Sequence, residues 1–218
     1  MRRLIRISLL AAVCLILAGC SNAPPPSAKE APRTAVISNE PAPETYRVDL
    51  DTSKGPVTIE VTRAWAHHGA DRFYNLVKSG FYDGDRFFRV VSFVVQFGIN
   101  GDPGISQLWS NLTIPDDPVK QKNRRGTVTF AALGKDTRRT QVFINLKDNS
   151  TLNNQGFAPF GRVTEGMNEV VDHLYFGYGD MPPRGSGPDP TKIELQGNRY
   201  LDDRFPRLDY IKKATIQK

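Results

Sequence analysis

Among the side chains able to do chemistry, the least ordinary is Arg89. It stands inside the run from Arg86 to Gln96, RFFRVVSFVVQ, where Phe87, Phe88, Val90, Val91, Phe93, Val94 and Val95 are all aromatic or β-branched. Such a run forms short strands covered on both faces. A guanidinium cannot shed its charge, so an arginine there needs a partner or an opening to solvent. Gln96 closes the same run with an amide. On the run alone two roles stay open: a fixed hydrogen-bond donor at a site, or a cation that snorkels at a sheet edge. The pairs Asp116–Asp117 and Asp202–Asp203 sit in polar loops without the apolar surroundings that raise a carboxyl pKa, so a hydrolase has little support. His67 and His68 are adjacent and His173 is distant, a pattern of surface residues rather than metal ligands. Lys120, Lys122, Arg124 and Arg125 lack interleaved aromatics, as in a solvated loop rather than a nucleic-acid site.

The elements that must hold these side chains are mostly strands. Tyr46, Val48 and Leu50 alternate with Arg47, Asp49 and Asp51, and Lys54-Gly55-Pro56 turns the chain into a second strand with Val57, Ile59 and Val61 on one face. Ala64 to Ser79 reads as a helix, with Ala70, Phe73, Leu76 and Val77 on one side and Gly80 as its stop. Phe81-Tyr82-Asp83-Gly84 turns into the Arg89 run, and a loop follows from Gly98 to Arg125. Further strands are expected over Gly126–Leu133, Thr140–Asn145, Ala158–Val163 and Ile211–Ile216. A second helix is expected from Glu165 to Phe176, with Met167, Val170, Val171 and Leu174 inward. Between Gly177 and Arg207, Gly, Pro and Asp dominate and no element is placed. The pattern implies a mainly β fold, a closed antiparallel β-barrel capped by two α-helices.

The 218 residues suit one domain with appendages, and 39% apolar with 24% charged residues exclude a disordered chain or a bundle of membrane spans. Of the formal charge of +6, three units are Arg2, Arg3 and Arg6, so the remainder is only mildly basic and gives no argument for nucleic acid. Those arginines precede an apolar run from Ile7 to Leu17, too short to span a bilayer, and then Leu17-Ala18-Gly19-Cys20. This segment resembles a bacterial lipoprotein signal with its lipobox. The resemblance implies removal of residues 1–19, acylation of Cys20 and attachment to a lipid bilayer. Cys14 leaves with the signal, so Cys20 is the one cysteine of the mature chain and no internal disulfide is expected. Ser21 at the next position resembles outer-membrane sorting in Gram-negative lipoproteins, on the periplasmic side. Residues 20–44, rich in Pro, Ala and Ser, are expected to be a disordered tether, with the ordered domain over 45–218 and an extra segment at 177–207.

Several motifs in order resemble those of the cyclophilins, peptidyl-prolyl cis–trans isomerases. Phe73-Tyr74-Asn75-Leu76-Val77 followed by Gly80-Phe81-Tyr82-Asp83-Gly84 is similar to bacterial members. Phe87-Phe88-Arg89-Val90-Val91 resembles their Phe-His-Arg segment, and Phe93-Val94-Val95-Gln96 their Phe-Met-x-Gln. Gly126 to Ala131, Gln141-Val142-Phe143-Ile144, and Phe160-Gly161-Arg162-Val163-Thr164-Glu165-Gly166-Met167 resemble three further family segments. The resemblance implies an eight-stranded cyclophilin-like barrel that needs no cofactor or metal, acts as a monomer and takes proline-containing polypeptides.

By that resemblance Arg89 is the catalytic donor. Phe93, Val94, Phe143 and Leu152 line a slot for the proline ring, with Phe157 at its rim. Gln96 steadies the guanidinium, Gln141 contacts the peptide backbone and Ala132 offers its own backbone groups. The chain departs from the pattern at Phe88, where the family has His, and at Ser92, where Pro-Gly is usual and the connection is one residue shorter. Val94 replaces Met, Phe97-Gly98-Ile99 replaces Gly-Gly-Asp, and Ala132 replaces Asn. The expected function is isomerisation of X–Pro bonds in exported or envelope proteins. The alternative is a low-turnover module of the same fold that binds proline-containing segments as a chaperone or scaffold.

Overall fold

The computed structural model describes residues 37–217. The signal segment, the lipobox with Cys20, and the tether up to residue 36 lie outside the described residues. Order begins earlier than expected. Ala42 is 7% exposed and belongs to the core; its N–H donates to the Asp71 carboxylate (2.9 Å), while the Glu40 carboxylate accepts from Lys78 (2.6 Å). The Pro-rich composition hides these contacts, because they are made by single residues against a helix rather than by a periodic face.

In chain order the elements are β1 (Thr45–Thr52), β2 (Gly55–Thr62), α1 (His67–Lys78), β3 (Arg89–Val90), β4 (Val94–Phe97), α2 (Pro103–Trp109) and β5 (Thr127–Phe130). They continue as β6 (Val142–Asn145), α3 (Ser150–Asn153), β7 (Pro159–Glu165), a 3₁₀ turn (Val171–His173), α4 (Pro190–Gln196), α5 (Asn198–Arg204) and β8 (Ile211–Ile216). The eight strands form one antiparallel sheet in the order β3-β4-β6-β5-β7-β2-β1-β8. Its two ends meet: Phe87 N–H donates to the Asp209 carbonyl (2.9 Å), Ile211 N–H to that of Asp85 (2.8 Å), and Arg86 bridges to Tyr210. The fold is the expected mainly β barrel.

Side chains alternate across the sheet, so each strand has a core face and an outer face. Val48, Leu50, Val57, Ile59, Val95, Val128, Ile144 and Phe160 fill the core with Phe73 and Leu76 of α1. Phe160 lies between Phe73 (5.0 Å) and Phe130 (5.1 Å), joining helix to sheet.

The helices differ from expectation in two ways. The second capping helix is absent; residues 166–174 turn tightly and include only the 3₁₀ turn, although Val170, Val171 and Leu174 are buried as foreseen. Gly166 has φ +83°, and a Cβ there would lie 2.4 Å from the Pro56 carbonyl, so the chain must leave β7 abruptly rather than wind into a helix. Four short helices, α2, α3, α4 and α5, stand where no helix was expected. Two of them, α2 and α4, begin at Asp-Pro: Asp102 accepts from Gly104 N–H (2.7 Å) and Asp189 from Thr191 N–H (3.0 Å). This is capping chemistry with proline in the first turn.

Asp117, expected in a polar loop without apolar surroundings, is 6% exposed. Helix α1 has no side-chain cap of its own; the Asp117 carboxylate accepts from His68 N–H (3.1 Å) and Gly69 N–H (2.8 Å) and so caps it from a distant loop. Replacing Asp117 by Ala should therefore lower stability by about 1–2 kcal/mol, the usual cost of a lost helix cap. An unchanged urea midpoint in the variant would contradict the assignment.

Candidate functional site

The pairing register sets the site. Arg89 lies opposite Gln96, and Gln96 lies opposite Phe143, so three strands present one row on the outer face. Their neighbours Val90, Val95 and Ile144 pair with one another on the core face. A slip of one residue would exchange the two sets, so burial of the valines and isoleucine fixes the outer row. This row borders a cavity of about 690 Å³.

Every catalytic and substrate-binding residue expected from the sequence lies on that cavity: Arg89, Phe93, Val94, Gln96, Ala132, Gln141, Phe143, Leu152 and Phe157. Phe143 and Phe157 meet edge to face at 5.7 Å, and the guanidinium of Arg89 stands 5.3 Å from the centre of the Phe93 ring. The shorter connection at Ser92 thus still delivers Phe93 beneath the cation. Asparagines anchor both walls. Asn149 donates to the Phe93 carbonyl (2.9 Å) and to Asn145 Oδ1 (2.7 Å), while Asn123 donates to the Phe157 carbonyl (2.8 Å). Asn149 thus has a structural role, fixing the backbone at Phe93.

Arg89 is 7% exposed and fully engaged on one side. Its Nη1 donates to Gln96 Oε1 (3.0 Å), and Gln96 Nε2 donates to Gln141 Oε1 (2.9 Å), a relay of amides along the cavity wall. On the other edge Nε and Nη2 donate to the two oxygens of Asp180, at 2.7 and 3.3 Å. Asp180 was not foreseen. The apolar run around Arg89 demanded a partner, but nothing in the Gly- and Pro-rich segment marked which acid it would be.

That segment is built rather than loose. Phe88 and Ile99 form a second apolar cluster with Ile193, Leu201 and Leu208, and Tyr178 and Met181 pack against it. Phe88 and Ile99 are two of the departures from the cyclophilin pattern, and both serve as seats for the added segment. Gly197, between α4 and α5, has φ +62°, and a Cβ there would fall 2.1 Å from the Gly101 carbonyl, so only glycine allows the α4–α5 junction to dock so closely on the loop before α2. Met181, Pro182, Arg184, Asp189, Thr191 and Glu194 become the outer wall of the cavity.

Among the described residues one cluster has metal-ligand character, His67, His68 and Asp117, and it lies at the start of α1 away from this cavity. Both Asp117 oxygens there are already used by backbone N–H groups.

The packed barrel matches what the sequence motifs implied, and its outer face carries apolar side chains beside a buried cation. Residues 47–181 match the family model described as cyclophilin type peptidyl-prolyl cis-trans isomerase/CLD. The chain belongs to that family and is a peptidyl-prolyl cis–trans isomerase. It is 38% identical over 137 residues to peptidyl-prolyl cis-trans isomerase cyp18 of Streptomyces antibioticus, spanning 58% of this chain and 81% of that one. It is 35% identical over 136 residues to peptidyl-prolyl cis-trans isomerase A of Dickeya dadantii, spanning 57% and 68%. In structure it is similar to a cyclophilin type isomerase of Cryptosporidium parvum, with a TM-score of 0.58, 19% identity, and coverage of 80% of this chain and 98% of the other.

Burial raises the pKa of Asp180, but the hydrogen bonds and charge of Arg89, the Met181 N–H and the charge of Arg184 outweigh it and hold the carboxyl below its ordinary value. A depressed carboxyl pKa stabilises the fold above the unfolded pKa, near about 3.9, and that gain is lost as pH falls through the folded value. Carboxyl-carbon NMR should therefore show Asp180 still ionised at pH values where an exposed aspartate is half protonated. An ordinary midpoint would mean that the ion pair does not form in solution.

Proposed function

We propose that Arg89 catalyses rotation about X–Pro bonds by donating a hydrogen bond to the prolyl nitrogen. In the planar ground state that nitrogen shares its electrons with the carbonyl, which creates a barrier of about 18–20 kcal/mol and exchange times of roughly tens to hundreds of seconds. Twisting removes the resonance and leaves a pyramidal nitrogen with a lone pair. A donor aimed at that lone pair stabilises the transition state more than the ground state, which is the condition for catalysis. The step needs no nucleophile, proton acceptor or metal.

The observation that carries this reading is the state of the guanidinium. Three of its five N–H groups are held by Asp180 and Gln96, beside the apolar part of the cavity lined by Phe93, Val94, Phe143 and Leu152. Two N–H groups are thereby left for a bound chain. Phe93, Val94, Phe143 and Leu152 form the slot for the proline ring, with Phe157 at the rim, and proline-containing polypeptides are the substrates. Gln141 and the backbone of Ala132 hold the peptide on either side. The Cryptosporidium parvum fold has been determined in the presence of the dipeptide Ala-Pro, which is consistent with such a ligand class.

The substrates are exported or envelope proteins, reached from a lipid anchor at Cys20 through the segment that follows it. The support is the basic, apolar and Leu-Ala-Gly-Cys succession of the first twenty residues. Cys20→Ser should shift the chain from the membrane fraction to the soluble one, and mass measurement of the wild-type N-terminus should find acylated Cys20. An unmodified cysteine would end the anchoring proposal.

Arg89→Ala should lower the rate of X–Pro exchange in a peptide, followed by NMR exchange spectroscopy, by about 10²–10³-fold, as when a transition-state donor is removed. Peptide binding should weaken far less. Slow exchange in the wild type together with clear binding would favour the binding-module alternative instead.

A further inference from the structure

We propose that Asp180 is a positioning residue for Arg89, so that the segment outside the barrel completes the catalytic centre. This inference rests on the reading of Arg89 as the donor. It starts from geometry. Asp180 takes the Nε edge of the guanidinium with both oxygens, and Gln96 holds Nη1 from the opposite side. A planar fork clamped at two points cannot rotate about its own axis, and its remaining N–H groups keep one direction. Misplacing a reacting group by about 1 Å can cost roughly 10²-fold in rate, so such a clamp bears directly on turnover.

A carboxylate beside the donor could instead cancel its charge. Here that effect is offset, because Arg184 Nε lies 3.2 Å from Asp180 Oδ2 and the group of three charges stays net positive. The carboxylate is itself held. Met181 N–H donates to Asp180 Oδ1 (2.8 Å), and Gly187 N–H donates to the Asp180 carbonyl (2.9 Å). Gly187 passes so close that a Cβ there would lie 2.9 Å from the Asp180 carbonyl oxygen. Behind this turn, Tyr178 and Met181 pack on the cluster seated on Phe88 and Ile99. Phe88 immediately precedes Arg89 in the chain, so one dipeptide both docks the segment and receives its acid.

Asp180 lies at the end of the family match, residues 47–181, while α4 and α5, which anchor its turn, lie beyond it. The barrel therefore carries the donor, and the added segment aims it.

The test uses the whole chain and four substitutions, Asp180→Asn, Asp180→Ala, Arg89→Ala and Gly187→Ala, with X–Pro exchange, peptide binding and the Arg89 Nε–H resonance all followed by NMR. Asp180→Ala should lower exchange by about tenfold or more while peptide affinity changes little, and the Nε–H proton should exchange faster with water. Asp180→Asn, which keeps the shape and one acceptor, should fall between it and the wild type. In the Arg89→Ala background, Asp180→Ala should have no further effect, since there is nothing left to position. Gly187→Ala keeps the carboxylate but displaces its backbone, and should slow exchange with both charges still present.

If Arg89→Ala removes turnover but Asp180→Ala does not change it, the positioning role is refuted and the donor role stands. A rise in turnover in Asp180→Ala also refutes it, because the acid would then be a latch. If Arg89→Ala leaves turnover intact, the donor reading itself fails.

Discussion

A charge that cannot be neutralised sits in a nearly dry wall of this barrel, and much of the surrounding structure exists to satisfy it. Burying an ion costs several kcal/mol unless partners replace the lost water. Arg89 meets that demand with one amide and one carboxylate, and with the ring face of Phe93. The arrangement leaves donor capacity on the side of the cavity. A site for a neutral reacting group, a peptide nitrogen, can be built this way, because the ligand does not have to compensate the charge.

The sheet supplies rigidity. Gln96 is held by Arg89 and Gln141 at once and stands in register between β3 and β6, so the amide relay is part of the ladder rather than of a loop. The slot walls are less regular. Phe93 and Phe157 lie outside the strands, and buried asparagines hold their carbonyls. Hydrogen bonds of this kind are strong in a buried setting and costly to leave unmade. They give two aromatic walls a fixed spacing without lengthening a strand.

The departures from the cyclophilin pattern form a consistent set once the added segment is in view. An apolar residue at Phe88 and another at Ile99 make little sense on an exposed barrel face. They make sense beneath Ile193, Leu201 and Leu208. The segment between β7 and β8 therefore belongs to the same cooperative unit as the barrel. It extends the cavity with a charged outer rim, where Arg139 pairs with Glu194 (3.2 Å) opposite the apolar slot.

Local pattern was sufficient for the strands, for α1 and for the inward set of side chains, because alternation and helical spacing are imposed by backbone geometry residue by residue. It also singled out Arg89, since an arginine among aromatic and β-branched neighbours is anomalous without any fold. Ordered motifs then placed the slot residues around one site. Two short helices were readable in principle from Asp102-Pro103 and Asp189-Pro190, but brief elements carry too few residues to show a period. The missing second cap was a misreading of apolar spacing at Val170, Val171 and Leu174, which are buried one by one from turns. Tertiary structure alone decided that Asp117 caps α1, that Ala42 is packed, and that Asp180 meets Arg89 across 91 residues of chain. The sequence required a partner for that cation. Which carboxylate it would be depended on the docking of α4 and α5 onto Phe88 and Ile99, a long-range packing event that leaves no periodic mark on the chain.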